Sequence, residues 1–266
     1  MIAALLAASL HAAALAAPSA CTPIPGVAAL WKDDIRYVVV GEMHGTTETP
    51  AAFADLVCAA RAQGPVTVAL EFSEGMQPML DAFMAAESEP AARAILAAYP
   101  HGPFVHHDGR GSVAILDMLL RLRAMKRETP DLKIVAFAPD SPRVRGFSQS
   151  YSELDMGHRL ATAARKAPEN RMLVLVGNIH AQRKTIESYN LTPAVVHLPS
   201  AEVVSLYVVP QGGTAWNCGG DACGANPLPE TYDAAARGVI VQPYGNGAFD
   251  GVLALGPTTA SEPAKP

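Results

Sequence analysis

Four short runs of apolar residues, 37–40, 66–70, 134–138 and 172–176, constrain this chain more than any other feature. Each is rich in Val, Ile, Leu or Ala, and none alternates with polar residues. A strand with one wet face alternates with period two, so uninterrupted runs point to strands buried on both faces, as in a parallel sheet. Helical spacing lies between the runs. In 50–63, Phe53, Leu56, Val57 and Ala60 share a face; in 112–127, Val113, Leu116, Leu119 and Leu120 do, leaving Arg121, Arg123 and Lys126 for an outer face. A third helix is expected over 152–166. Strands alternating with helices predict right-handed βαβ units, an α/β fold and a mostly parallel central sheet with flanking helices.

The segment 75–98, rich in Ala and Met, adds one or two helices. They read either as a cap inserted over the sheet or as ordinary core packing. The last third is β-rich, with runs at 194–198, 203–209, 239–241 and 252–255 that are expected to add antiparallel strands or a small ribbon. Residues 258–266 contain Pro, Ser and Thr and read as a disordered tail. That leaves 21–257 as a single α/β domain. The 266-residue chain, half of it hydrophobic, is long enough to bury a large core.

Residues 1–20 are apolar, uncharged and end in small residues, which suits a signal peptide cleaved after Ala17 or Ala20. The run is short for a membrane span and is interrupted by His11. A lipidated Cys21 and a buried amino-terminal helix are the competing readings. Export leads to a periplasmic or secreted protein with no transmembrane span after cleavage. The cysteines agree with it: Cys21, Cys58, Cys218 and Cys223 are even in number. Cys218 and Cys223 bracket a Gly-rich CGGDAC loop that can close into a bridge, leaving Cys21 with Cys58. A zinc site is the weaker rival, since no second close pair of Cys or His stands beside them. The net charge is -5 and no basic stripe is present, which argues against nucleic acid and leaves a small molecule or a peptide as the partner.

The chemistry gathers where the apolar runs end. The first is followed by GEMHGTTE, the second by Glu71, and the fourth by GNIHA. In open α/β sheets ligands bind outside the carboxyl ends of the strands. Glu42, His44, Glu71 and His180 are therefore the candidate catalytic residues. Gly41 and Gly45 permit tight turns and a close approach of backbone to ligand. If their strands are neighbours, Glu42 and Glu71 lie side by side and either split their pKa values or share a cation. Supporting candidates are Asn178, beside His180; Glu48, which also suits a helix start; Arg110, in the FVHHDGRGS segment; and Asp140, which also suits a turn. His158 and Arg159 read as exposed helix residues.

These residues resemble a superfamily that groups the Tiki proteases, the haem-binding ChaN lipoproteins and the erythromycin esterases. The resemblance rests on Gly41-Glu42, on Glu71 at the end of the next strand and on the G-x-x-H of Gly177–His180, and spans roughly residues 35–181. HGTTE is similar to the esterase branch's H-G-x-x-E, and Asn178 beside His180 to its H-N-x-H. Two departures stand out: only Met43 separates Glu42 from His44, as in the ChaN branch, and Gly177 replaces the first His of H-N-x-H. The resemblance implies either an exported hydrolase of ester or amide bonds or a haem-binding protein without catalysis. In the first, His44 or His180 is the general base, with a divalent metal (Mn, Co or Zn) on Glu42, Glu71 and His180 as one version. In the second, Tyr99, His106 and His107 are the available axial ligands.

Overall fold

A computed structural model describes residues 21–140, 148–219 and 222–265. The expected signal peptide lies outside the described residues. The elements run β1 (Tyr37–Glu42), α1 (Glu48–Arg61), β2 (Val66–Ser73), α2 (Gln77–Ala85), α3 (Glu89–Ala98), α4 (Val113–Glu128), β3 (Lys133–Ala138), α5 (Gln149–Lys166), β4 (Arg171–Gly177), β5 (Val203–Val208), β6 (Thr214–Gly219), β7 (Ala222–Pro227), β8 (Gly238–Ile240) and β9 (Gly251–Ala254). The four apolar runs are β1 to β4. Every residue of β1 is buried, because it pairs in parallel with β4 on one side and β5 on the other.

The seven-stranded sheet has the order β3-β2-β4-β1-β5-β9-β8. All pairings are parallel except β8 with β9. Alternate residues of β1 feed two cores. Val38 and Val40 pack with α1, α2 and α4 on one face. Tyr37 and Val39 pack with Met156, Leu160 and Ala164 of α5 on the other. The chain moves outward from β1 to β2 to β3 with helices on the first face, then returns to β4 with α5 on the second. The reversal follows from right-handed crossovers, and it opens a crevice at the carboxyl ends of β1 and β4. Serines set the start of three helices: Ser88 Oγ accepts the Ala91 N–H, Ser112 Oγ the Ile115 N–H and Ser148 Oγ the Tyr151 N–H.

The carboxyl-terminal third differs from expectation in three places. β5 and β9 extend the sheet in parallel, and only β8 is antiparallel within it. Residues 194–198 are not a strand: Ala194–His197 is a 3-10 turn, bounded by Pro193 and Pro199, which withhold the N–H groups a ladder needs. The tail is ordered through residue 265 instead of disordered. Its backbone is hydrogen-bonded at Thr47 N–H to Thr259 O, Ser261 N–H to Gly45 O and Ala264 N–H to Gly111 O. The helices α2 and α3 cover the sheet on the α4 side, with Met76, Leu80 and Phe83 in the first core.

Both disulfides form, Cys21–Cys58 and Cys218–Cys223. The first ties the start of the described residues to α1. The second staples directly paired residues of the β6–β7 hairpin. Protein purified from an oxidising compartment is expected to show no titratable thiol after denaturation; four free thiols would contradict both bridges.

Candidate active site

Three strand ends and one helix build the site. Glu42 closes β1, and His44 follows in the turn before α1. The Nδ1 of His44 donates to Glu42 Oε1 at 3.0 Å, and its Nε2 faces Glu71 Oε2 at 3.8 Å. Glu71 comes from β2, which is not the neighbour of β1, because β4 lies between them. The condition under which Glu42 and Glu71 would sit side by side is therefore not met: the His44 ring spans the gap. Glu71 reaches over the end of β4, where its Oε2 accepts the Gly177 N–H at 2.6 Å. Its Oε1 stands 3.6 Å from His180 Nε2.

The second imidazole has its own carboxylate. His180 Nδ1 lies 2.7 Å from Glu153 Oε1. Glu153 sits on α5 with no solvent exposure. A buried charge must be satisfied, and Glu153 also accepts from Gln149 Nε2 at 2.7 Å and from the Ala194 N–H at 2.9 Å. Sequence reasoning missed Glu153. The signal was present: it shares a buried helix face with Met156, Gly157, Leu160 and Ala164, where an acidic residue has no ordinary reason to be.

Gly177 is the floor of this arrangement. A Cβ there would stand 3.2 Å from His44 Nε2, 3.3 Å from His180 Cδ2 and 3.4 Å from Glu71 Oε2. Glycine thus leaves open the space on which all three groups converge. Gly41 and Gly45 serve chain packing instead of ligand approach. A Cβ on Gly41 would lie 2.7 Å from that of Ala181, and one on Gly45 only 1.9 Å from the Trp216 carbonyl oxygen. Glu42, His44, Glu71 and Arg110, with Leu70, Phe72, Ile115, Met118 and Leu175, line a small cavity of about 20 Å³. One water needs at least about 10–15 Å³, so the cavity suits a single water.

The other candidates separate. Arg110 lines the cavity and is paired with Asp108, its Nε 3.0 Å from Oδ2. Asn178 donates its N–H to the Glu42 carbonyl at 2.9 Å. Glu48 accepts the Thr259 N–H at 2.8 Å and so holds the tail. Asp140 accepts from Ser73 Oγ and from the Gly75 N–H, closing the turn after β2. Tyr99 donates to the Gly75 carbonyl, while His106 and His107 are exposed. His158 is exposed, and Arg159 pairs with Glu74 and Asp155. Of the metal ligands anticipated from sequence, Glu71 and His180 face one another while Glu42 is turned to His44, and among the described residues no group of three or more His, Cys, Asp or Glu is placed to hold a metal ion.

Burial alone would lower the pKa of His44, but the hydrogen bond and charge of Glu42, helped by Glu71, outweigh it and raise the value to about 9. His180 shifts the same way: burial opposes, while the hydrogen bond it donates to Glu153 and the charges of Glu71 and Glu153 prevail. A pKa raised from 6.5 to about 9 means the folded state holds the proton more tightly. The stability this contributes is complete below pH 6.5 and is lost as pH rises through about 9. In Glu42→Gln the burial contribution is left with little opposition. The His44 ring is then expected to titrate well below its wild-type value when followed by NMR. An unchanged titration would show that Glu42 does not hold the ring.

No protein-family model and no curated protein matches the sequence. Solved structures do match. A Bacillus cereus protein is 10% identical with a TM-score of 0.64, covering 87% of this chain and 91% of that one. A mutant of erythromycin esterase EreC in its open conformation is also 10% identical with a TM-score of 0.64, covering 85% and 91%. A succinoglycan biosynthesis protein is 10% identical with a TM-score of 0.56, covering 87% and 90%. The chain therefore has the fold of the erythromycin esterase EreC, as the motif resemblance implied.

Proposed function

We propose that this protein is an exported hydrolase that cleaves an ester or amide bond with a water activated by His44. One observation carries the reading: two carboxylate–imidazole pairs, Glu42–His44 and Glu153–His180, turn their Nε2 atoms toward the two oxygens of Glu71 at the sheet's switch point. Carboxylates only accept, so each Nδ1 carries a proton and each Nε2 faces the open space. His44 is the general base and takes the proton of the water. The hydroxide adds to the substrate carbonyl. His180, kept protonated by Glu153, gives the leaving group its proton from Nε2. Glu71 orients the water between the rings. The apolar walls Leu70, Phe72 and Leu175 strengthen these interactions by excluding bulk solvent. In this reading Glu42 is committed to His44 and no metal takes part. The fold shared with erythromycin esterase EreC is consistent with hydrolysis. Export is supported by the two disulfides, by the apolar, uncharged start, and by the lack of any helix among the described residues long and apolar enough to cross a membrane.

A panel of small esters and short peptides tests the reading. His44→Asn is expected to lower turnover about a hundredfold or more, the usual worth of a general base. His180→Asn is preferred to alanine, because removing one partner of the buried Glu153–His180 pair outright costs about 3–5 kcal/mol. Hydrolysis that both substitutions leave unchanged would overturn the proposal. The base must be deprotonated while the acid stays protonated, so kcat/KM is expected to climb about tenfold per pH unit from neutrality toward the His44 pKa of about 9 and to decline once His180 loses its proton. A profile that falls over that range would remove His44 from the role. Chelator is expected to leave the rate unchanged; its abolition would restore the metal version.

A further inference from the structure

The turn that carries His44 and the loop that carries Arg110 are joined through a residue distant in sequence. Trp216 of β6 donates its backbone N–H to the Gly45 carbonyl at 2.8 Å. Its indole Nε1–H donates to the His107 carbonyl at 2.9 Å. Gly45 follows His44 directly, and His107 precedes Arg110 by three residues. The three backbones meet without room to spare. A Cβ on Gly109 would lie 2.3 Å from the Trp216 carbonyl oxygen and 3.0 Å from Gly45. Gly45 and Gly109 both have positive φ, at +83° and +93°, so glycine is required there twice over. The hairpin that presents Trp216 is stapled two residues on by Cys218–Cys223.

We propose that Trp216 is a positioning residue: it sets the spacing between the His44 turn and the Arg110 loop, and through it the mouth of the cavity between them. The proposal rests on the reading that these two segments line the active site. The backbone bond to Gly45 survives any side-chain substitution, whereas the indole bond to His107 does not. Trp216 therefore acts on the site through the loop of Arg110, and the charge of Arg110 in turn acts on His44.

The test is a double-substitution cycle of Trp216→Phe with Arg110→Ala, read in two ways. The first is the His44 Cε1–H resonance at pH 7, which needs no turnover. Trp216→Phe is expected to move it in the presence of Arg110 and not when Arg110 is alanine. The second is kinetic: Trp216→Phe is expected to raise KM about three- to tenfold, the worth of one hydrogen bond, with kcat retained and no further rise on Arg110→Ala. Equal effects in both backgrounds would overturn the proposal. So would a lowered melting temperature with KM unchanged, which would make Trp216 a support of the fold only. Cys218→Ser with Cys223→Ser, which frees the hairpin but keeps the indole, is expected to give the same pattern. Absence of hydrolysis on every substrate would sink the hydrolase reading while the resonance test still decides this one.

Discussion

The insertion of β4 between β1 and β2 brings three carboxyl strand ends within two strand spacings, about 10 Å. Every polar contact of the site depends on that order. Because β4 separates Glu42 from Glu71, the two carboxylates do not repel one another at contact distance, and an imidazole fits between them. Because the connection out of β4 runs over the α5 face, His180 meets Glu153 instead of Glu42. The sheet order is in turn a consequence of crossover handedness applied to a chain that reverses direction after β3.

Charge is the next constraint. Glu42 and Glu153 are nearly or wholly shut from solvent. Each is compensated by a ring nitrogen, and Glu153 by two further donors, one from its own helix and one from the 3-10 turn that precedes β5. Desolvation and carboxylate attraction act on the rings in opposite directions, and for both rings attraction prevails. Attraction thus raises the pKa of each ring, and the basic form of His44 is reached as pH rises toward about 9. The turn that carries His44 is held by neighbours: the β6–β7 hairpin and the ordered tail both hydrogen-bond to the Gly45 carbonyl.

Much of this was legible in the residues. Strands buried on both faces leave an unbroken apolar signature, so β1, β2 and β4 and the polar residues at their ends could be read directly; β3 carries the same signature although it is an edge strand and only partly buried. What escaped reading depended on partners far away in sequence. Glu153 looks like one more polar helix residue until its face is aligned with Met156 and Leu160. The run at 194–198 has the composition of a strand, but its flanking prolines and its N–H to Glu153 make it a turn. β5 lies parallel to β1 although no α-helix connects it to β4, since 3-10 turns span the gap. The tail has the composition of disorder and is ordered by hydrogen bonds from residues more than a hundred positions away.

The central claim is that Glu42–His44 and Glu153–His180 form one site through Glu71. It is tested most directly by following both imidazoles by NMR across pH in Glu71→Gln. Glu71 raises both pKa values, so its neutralisation is expected to lower both together while each ring keeps its own carboxylate. A change in only one ring, or in neither, would contradict the account.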